Sequence, residues 1–216
     1  MIRVGAGRLV KHALGRLFPG TVLIKGARSA RPRVALTLDD GPHPENTPRI
    51  LDILDRSQVC ATFFLQGAEV EKYPSLAREI FSRGHQIGNH GHSHFDARQT
   101  RRDLYVADIN RAQETLQNTV GAALDRIFRP PHGNITGTAF LSLARSGYRF
   151  VFWSADSRDS FIRTPTELVA HFTSLNVADG DILLFHEDYA HTVASLPEVL
   201  RLIKDRSLVV APIRDF

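Results

Sequence analysis

The sequence has one cysteine, Cys60, so no disulfide can close within the chain. Cys60 stands in the apolar, β-type run "VCATFFL", where a thiol fills core rather than reacts, as is common in a reducing compartment. No stretch approaches the roughly 18 consecutive apolar residues of a membrane span. The longest apolar run near the start falls short of the about 7 to 15 residues of a secretion-signal core. A cytoplasmic location is therefore expected. Repeats, low-complexity tracts and an interdomain linker after residue 33 are also missing, so most of the 216 residues are read as a single domain.

Acidic residues are absent from residues 1–33, which hold eight Lys or Arg: Arg3, Arg8, Lys11, Arg16, Lys25, Arg28, Arg31 and Arg33. Taking these eight from the 27 basic residues leaves 19 against 23 acidic ones in the rest of the chain. The net charge of +4 is thus the sum of a basic arm and an acidic body. A nucleic-acid surface needs basic residues interleaved with aromatics on the folded body, so no nucleic-acid partner is expected. Within the arm, Leu9, Val10, Ala13, Leu14, Leu17 and Phe18 recur at helical spacing with Arg8, Lys11, His12 and Arg16 between them, and Pro19-Gly20 stops the pattern. This short basic amphipathic helix has two readings: docking against the domain's own surface, or peripheral contact with an anionic membrane face. Residues 1–32 are taken as the arm and 33–216 as the folded domain.

From Arg33 onward, short β-like runs alternate with helix-like segments. The strand candidates are "VALTL", "ATFFLQG", "HQIGNH", "RIFRP", "YRFVFW", "DILLFH" and "SLVVAPI". Between them stand "TPRILDILDRS", "PSLAREIFSRG", "RRDLYVADINRAQETLQNTV", "GTAFLSLARSGY", "TPTELVAHFTS" and "LPEVLRLIKDR". Strand and helix alternating about seven times predicts a parallel α/β architecture. Polar residues unusual for a strand gather at the C-terminal ends of these runs: Asp39 and Asp40, His90 to His94, Arg129 and His132, Asp156 and Asp159, and His186. In a parallel barrel all those ends open on one face, where active sites are built.

"TLDDGPHP" contains ordinary turn vocabulary, yet two adjacent carboxylates at the end of an apolar strand are costly unless a cation or a proton relieves one of them. The stretch "GNHGHSH" offers imidazoles. His90 and His94, four apart, share one side of a helical turn, whereas in an extended strand His90, His92 and His94 would all face the same way. Spacing alone leaves His92 open. Two imidazoles, one carboxylate and an open position form the ligand set of hydrolytic zinc sites.

"TLDDGP", "GNHGHSH", "RPPHG", "WSADSRD" and "ILLFHE", in this order, resemble the five motifs of the NodB-homology polysaccharide deacetylases, carbohydrate esterase family 4; the likeness covers roughly residues 33 to 214. It implies a single-domain α/β fold, a distorted, incomplete (β/α) TIM-like barrel of about seven parallel strands. It further implies a hydrolase that removes N-acetyl groups from amino sugars of an oligosaccharide, polysaccharide or glycolipid. By the same resemblance Asp39 is the general base, and Asp40, His90 and His94 hold a divalent metal, zinc first, with cobalt or another divalent ion as the alternative. His92 falls where relatives often carry an aromatic residue and receives no ligand role. Arg129 holds Asp39, Asp159 orients the general acid His186, Leu184 walls the acetyl pocket, and Pro131 and His132 line the substrate groove, with the residue 132 N–H facing the oxyanion.

Three positions depart from the family pattern: His132 replaces a common tyrosine, Ser160 a common tryptophan, and Leu38 a phenylalanine. They alter the groove wall and leave every proposed ligand and proton-transfer group in place. Two other functions compete with N-deacetylation: O-acetyl ester hydrolysis of the xylan type, and non-catalytic glycan binding.

Overall fold

A computed structural model describes Gly15 and residues 17–216. The arm's expected amphipathic helix, over residues 8–18, lies outside the described residues apart from Gly15, Leu17 and Phe18.

The residues of strand β2 (Arg33–Asp39) go alternately to two places. Val34, Leu36 and Leu38 join the main core with the helices, while Ala35 joins an inner cluster with Phe64, Ile127, Val151 and Ile182. Strand β8 (Ile182–His186) repeats the pattern, with Leu183 and Phe185 in the main core and Ile182 in the inner cluster. The two-residue period therefore puts Thr37, Asp39, Leu184 and His186 on the inner face. Helices covering the outer face explain why these strands read as nearly continuous apolar runs.

The remaining strands are β1 (Val22–Leu23), β3 (Thr62–Leu65), β4 (Gln86–Asn89), β5 (Ile127–Phe128), β6 (Arg149–Val151), β7 (Ala155–Asp156) and β9 (Val209–Val210). Their order is β1-β6-β5-β4-β3-β2-β8-β7, with β9 on β2, and every named pair is parallel. One stretch of chain, residues 149–156, supplies both β6 beside β5 and β7 beside β8. The continuation of β1 also reaches β8, through an antiparallel bridge from Lys25 to Asp181 and a hydrogen bond from Gly26 N to Gly180 O (2.7 Å). The sheet thus curls back on itself as a distorted parallel barrel. All seven expected strands are present; β1 and β7, two residues each, are additional.

The helices are α1 (Asn46–Ser57), α2 (Gly67–Lys72), α3 (Pro74–Ser82), α4 (Arg102–Val120), α5 (Gly137–Arg145), α6 (Pro165–Ser174) and α7 (Ala190–Asp205). At the start of α6, Thr164 Oγ1 accepts from Glu167 N and donates to Glu167 Oε2, a reciprocal cap ahead of Pro165. Helix α7 begins six residues before its expected start at Leu196. Pro197 sits inside it, where the buried face of Val193, Leu196, Val199, Leu200 and Ile203 outweighs the lost backbone bond.

Within the stretch read as the arm, Phe18 meets Phe140 edge-on, ring centroids 5.1 Å apart, and Val22 and Leu23 are buried strand residues paired with Phe150 and Val151.

Candidate active site

Strand β2 ends in Asp39, whose Oδ1 accepts from Arg129 Nη1 at 2.7 Å. Arg129, at the end of β5, is fully buried. The same Nη1 donates to Thr37 Oγ1, Nε to Val151 O and Nη2 to Phe152 O, and the guanidinium lies 4.2 Å from the Phe64 ring centroid. A desolvated guanidinium satisfied on so many sides is a rigid anchor. It engages one oxygen of Asp39 and leaves Oδ2, 3.8 Å from His90 Nε2.

The next residue, Asp40, takes a left-handed conformation (φ 74) that turns its carboxylate toward the histidine loop. Its Oδ1 lies 3.5 Å from His90 Nε2 and 3.2 Å from His94 Nε2. Burial alone would raise the Asp40 carboxyl, but the His94 hydrogen bond and the charges of His90, His94 and His186 hold it well below the usual carboxylate range. His90 Nδ1–H donates to the Arg129 carbonyl at 2.7 Å, and burial depresses the basicity of the ring. With Nδ1 occupied, Nε2 is the nitrogen presented to the site. One ligand atom from each of Asp40, His90 and His94 lies within 4.8 Å of the others. The donor set of two imidazoles and one carboxylate fits a divalent ion.

The histidines sit on neither a helix nor a strand. Residues 90–96 form a loop in which Gly91 (φ 78) and His94 (φ 54) are left-handed, and this turn brings the first and third imidazoles together, their ring centroids 5.0 Å apart. His92 goes the other way: it is buried, with Nε2 3.0 Å from Glu71 Oε1 on α2. Asp108 of α4 pins the loop, accepting from the backbone N–H groups of His92 (2.8 Å) and Ser93 (3.1 Å).

On the other side of Asp39, His186 closes β8. Its Nδ1 pairs with Asp159 Oδ1 at 2.7 Å, and its backbone N–H donates to Asp159 Oδ2, also at 2.7 Å. Asp159 is fully buried and takes a third bond from Thr192 Oγ1 (2.9 Å). Burial works against a charge on His186, yet the Asp159 carboxylate, with Asp39 and Asp40 behind it, pushes its pKa up to about 9.

The expected groove residues surround this centre. Leu184 is buried on β8, in register with Thr37. Pro131 opens a short 3-10 turn (Pro131–Gly133) with His132 left-handed at φ 57, and the exposed His132 ring meets His94 edge-on at 4.7 Å between centroids. Four contributors were not expected: Gln66, which donates to Asp40 Oδ1 at 2.7 Å, Asp108, Thr192 and the buried Glu187. Of these, only Glu187 lies within one of the five motifs, as the last residue of "ILLFHE".

A family model described as polysaccharide deacetylase matches residues 26–151, which include Asp39, Asp40, His90, His94 and Arg129. A peptidoglycan-N-acetylglucosamine deacetylase from Bacillus cereus is 35% identical over 176 residues, 79% of this chain and 81% of the relative. A chitooligosaccharide deacetylase from Bradyrhizobium is 32% identical over 166 residues, 77% of this chain and 74% of the relative. The solved structure of a peptidoglycan N-acetylglucosamine deacetylase in complex with 4-naphthalen-1-yl-N-oxidanyl-benzamide matches with a TM-score of 0.84 at 30% identity, over 90% of this chain and 92% of that one. By sequence and fold alike, the chain belongs to the polysaccharide deacetylase family, the NodB-homology group of carbohydrate esterase family 4.

Proposed function

We propose that this protein is a divalent-metal-dependent N-deacetylase acting on the N-acetylglucosamine of a peptidoglycan- or chitooligosaccharide-type glycan, and that Asp39 and His186 are its base and acid. The observation that carries the reading is the flanking of Asp39 by the Asp40–His90–His94 cluster on one side and by the His186–Asp159 pair on the other. A divalent ion held by Asp40, His90 and His94, zinc first with cobalt as alternative, supplies Lewis-acid polarisation of the acetamide and a more acidic water.

The chain's own residues do the rest. Asp39, held through Oδ1 by Arg129, takes the proton of the attacking water on its other oxygen. The turn at residues 131–133 uses the N–H groups of Gly133 and Asn134 on the Pro130 and Pro131 carbonyls; the His132 N–H is assigned to the developing oxyanion. His186, fixed at Nδ1 by Asp159, delivers a proton from Nε2 to the departing amine. An amide leaving group needs that proton, and the raised pKa of His186 keeps it available at neutral pH, which favours N- over O-deacetylation. Leu184 walls the acetyl methyl, and Pro131 and His132 shape the groove.

The test is acetate release from N-acetylglucosamine oligomers, peptidoglycan, acetylated xylan and N-acetylated glycolipid, with zinc or cobalt and with a chelator. Release from the amino-sugar substrates that a chelator abolishes supports the reading; release from xylan alone makes the protein an esterase, and glycan binding without any release makes it a non-catalytic relative.

We also propose a cytoplasmic location, with the basic arm as a peripheral contact to an anionic membrane. The exposure of Leu17, 72%, is in keeping with such a contact. Because β1 is part of the sheet, the deletion that tests this stops at residue 16, and unchanged partitioning onto anionic vesicles sinks the idea.

A further inference from the structure

Glu187 follows the proposed acid and is fully buried, yet the chemistry above gives it no part. Its surroundings connect three elements. Its backbone N–H donates to Asp39 O (3.0 Å), its carbonyl accepts from Asn46 Nδ2 at the start of α1 (2.7 Å), and its Oε2 accepts from Thr47 Oγ1. Thr47 Oγ1 in turn accepts from His43 N at 2.8 Å, so the loop after Asp40 is tied to the same hydroxyl. The other carboxyl oxygen, Oε1, has no hydrogen-bond partner among the described residues. It occupies the space beside Gly41 so fully that a Cβ there would lie 1.8 Å from it. Glycine at 41 is thus a steric requirement set by Glu187.

Asp40 stands next to this contact in a left-handed conformation. For a residue with a side chain such a conformation is strained and persists only where the surroundings impose it. Gln66 steadies the Asp40 carboxylate through its side chain and Gly41 O through its backbone N–H (3.0 Å). From the other side, the Glu187 side chain fills the volume against Gly41 and its main chain holds Asp39. We propose that Glu187 is a positioning residue for the metal-binding Asp40: its side chain, seated between Gly41 and Thr47, holds the Asp39-Asp40-Gly41 turn in the shape that aims Asp40 at His90 and His94. Burial pushes the Glu187 carboxyl up to about 8, in keeping with a neutral group that acts by shape and hydrogen bonding rather than by charge.

The inference rests on Asp40, His90 and His94 being the metal site, and the experiment separates the two claims. Zinc alone is titrated calorimetrically into metal-free wild type, Glu187→Ala, Glu187→Gln, Thr47→Val and His94→Ala, with thermal melts of each apoprotein and kcat and KM on the best glycan. Glu187→Ala is expected to bind zinc about 10- to 100-fold more weakly, the usual cost of losing support behind a ligand, and to lose kcat more than KM. Glu187→Gln, neutral and nearly isosteric, is expected to recover most of both. A folded Glu187→Ala that binds zinc as wild type does would overturn the proposal, as would a Glu187→Gln as impaired as the alanine variant. If Glu187→Ala does not fold, Thr47→Val decides: it removes the Oε2 hydrogen bond, weakened zinc binding is expected, and unchanged affinity overturns the proposal. Stoichiometric zinc that is lost in His94→Ala supports the metal site independently, whereas a wild type that binds no zinc sinks the site itself.

Discussion

Asp39 and His186 are Cα partners in the register of two adjacent parallel strands, β2 and β8. Both lie on the inner face of the sheet by the two-residue period, so the proposed base and acid are placed at the same height by strand pairing alone. Each is then clamped from outside its strand: Asp39 by Arg129 from β5, His186 by Asp159 from the loop after β7. Two proton-transfer groups fixed this way need little rearrangement when charge develops.

Removing either group is expected to lower kcat by on the order of 10² to 10⁴. Asp39→Asn and His186→Ala should show it in steady-state acetate release with zinc saturating. Because the two groups serve one reaction, the double variant should lose far less than the product of the single losses. Independent, multiplying losses would mean that they do not act in the same step.

The pH profile follows from His186. Its pKa in the fold lies above the ordinary value of 6.5, so its proton, and the stability that proton contributes, is fully held below that value and lost as pH rises through about 9. The alkaline limb of kcat/KM for the free enzyme is expected there. Asp159→Asn removes the charge that raises the imidazole and should move this limb down by roughly one to two pH units, with a fall in kcat at neutral pH. An alkaline limb that stays in place in the variant would assign it to another group.

Much of this centre was legible because it breaks the strand grammar: Asp39, Asp40 and His186 are charged or titratable residues at the ends of apolar runs, which nothing but a site explains economically. The supporting residues carry no such mark. Asp108 holds the histidine loop from 15 or 16 residues away and Thr192 holds Asp159 from 33, through contacts that only the packing of α4 and α7 creates. Strands β1 and β7 are two residues each; β1 lies in the stretch taken as the arm, and β7, "AD", has neither an apolar run nor a β-branched residue to mark it. Helix α2, "GAEVEK", has six residues, below the length at which helical periodicity stands out, and its first residue was absorbed into the preceding strand candidate. His92 stayed open because neither helical nor strand spacing describes the loop that carries it.

That loop now separates the three histidines by experiment. His92 approaches Glu71 and lies away from the Asp40 carboxylate, so His92→Asn should keep one zinc per chain, with a modest loss of thermal stability from the emptied volume. His94→Asn should lose zinc outright or bind it at least about 10-fold more weakly. Calorimetric titration of the two variants side by side reads the difference. Equal losses would place His92 among the ligands and contradict the loop geometry.

Away from the site, His85 ties stability to pH. It is buried at the start of β4, where its Nδ1 accepts from Ala61 N at 3.2 Å and its Nε2 has no partner among the described residues. Burial is the first cause of a pKa pulled from 6.5 down to about 4, helped by the charges of Arg83 and Arg214 and opposed by Asp55. The unfolded chain takes up this proton near 6.5 and the folded chain only near 4, so between those values the unfolded state binds more protons and stability falls as pH falls. A gap of this size is worth about 3 kcal/mol at its full extent. His85→Asn retains an acceptor for Ala61 N and cannot titrate; it should be less stable than wild type at pH 8, where the ring's packing on Phe63 is lost, and should lose much less stability on acidification to about pH 4.5. Urea unfolding at both pH values measures this, and an acid-induced loss equal to that of wild type would move the effect to other groups.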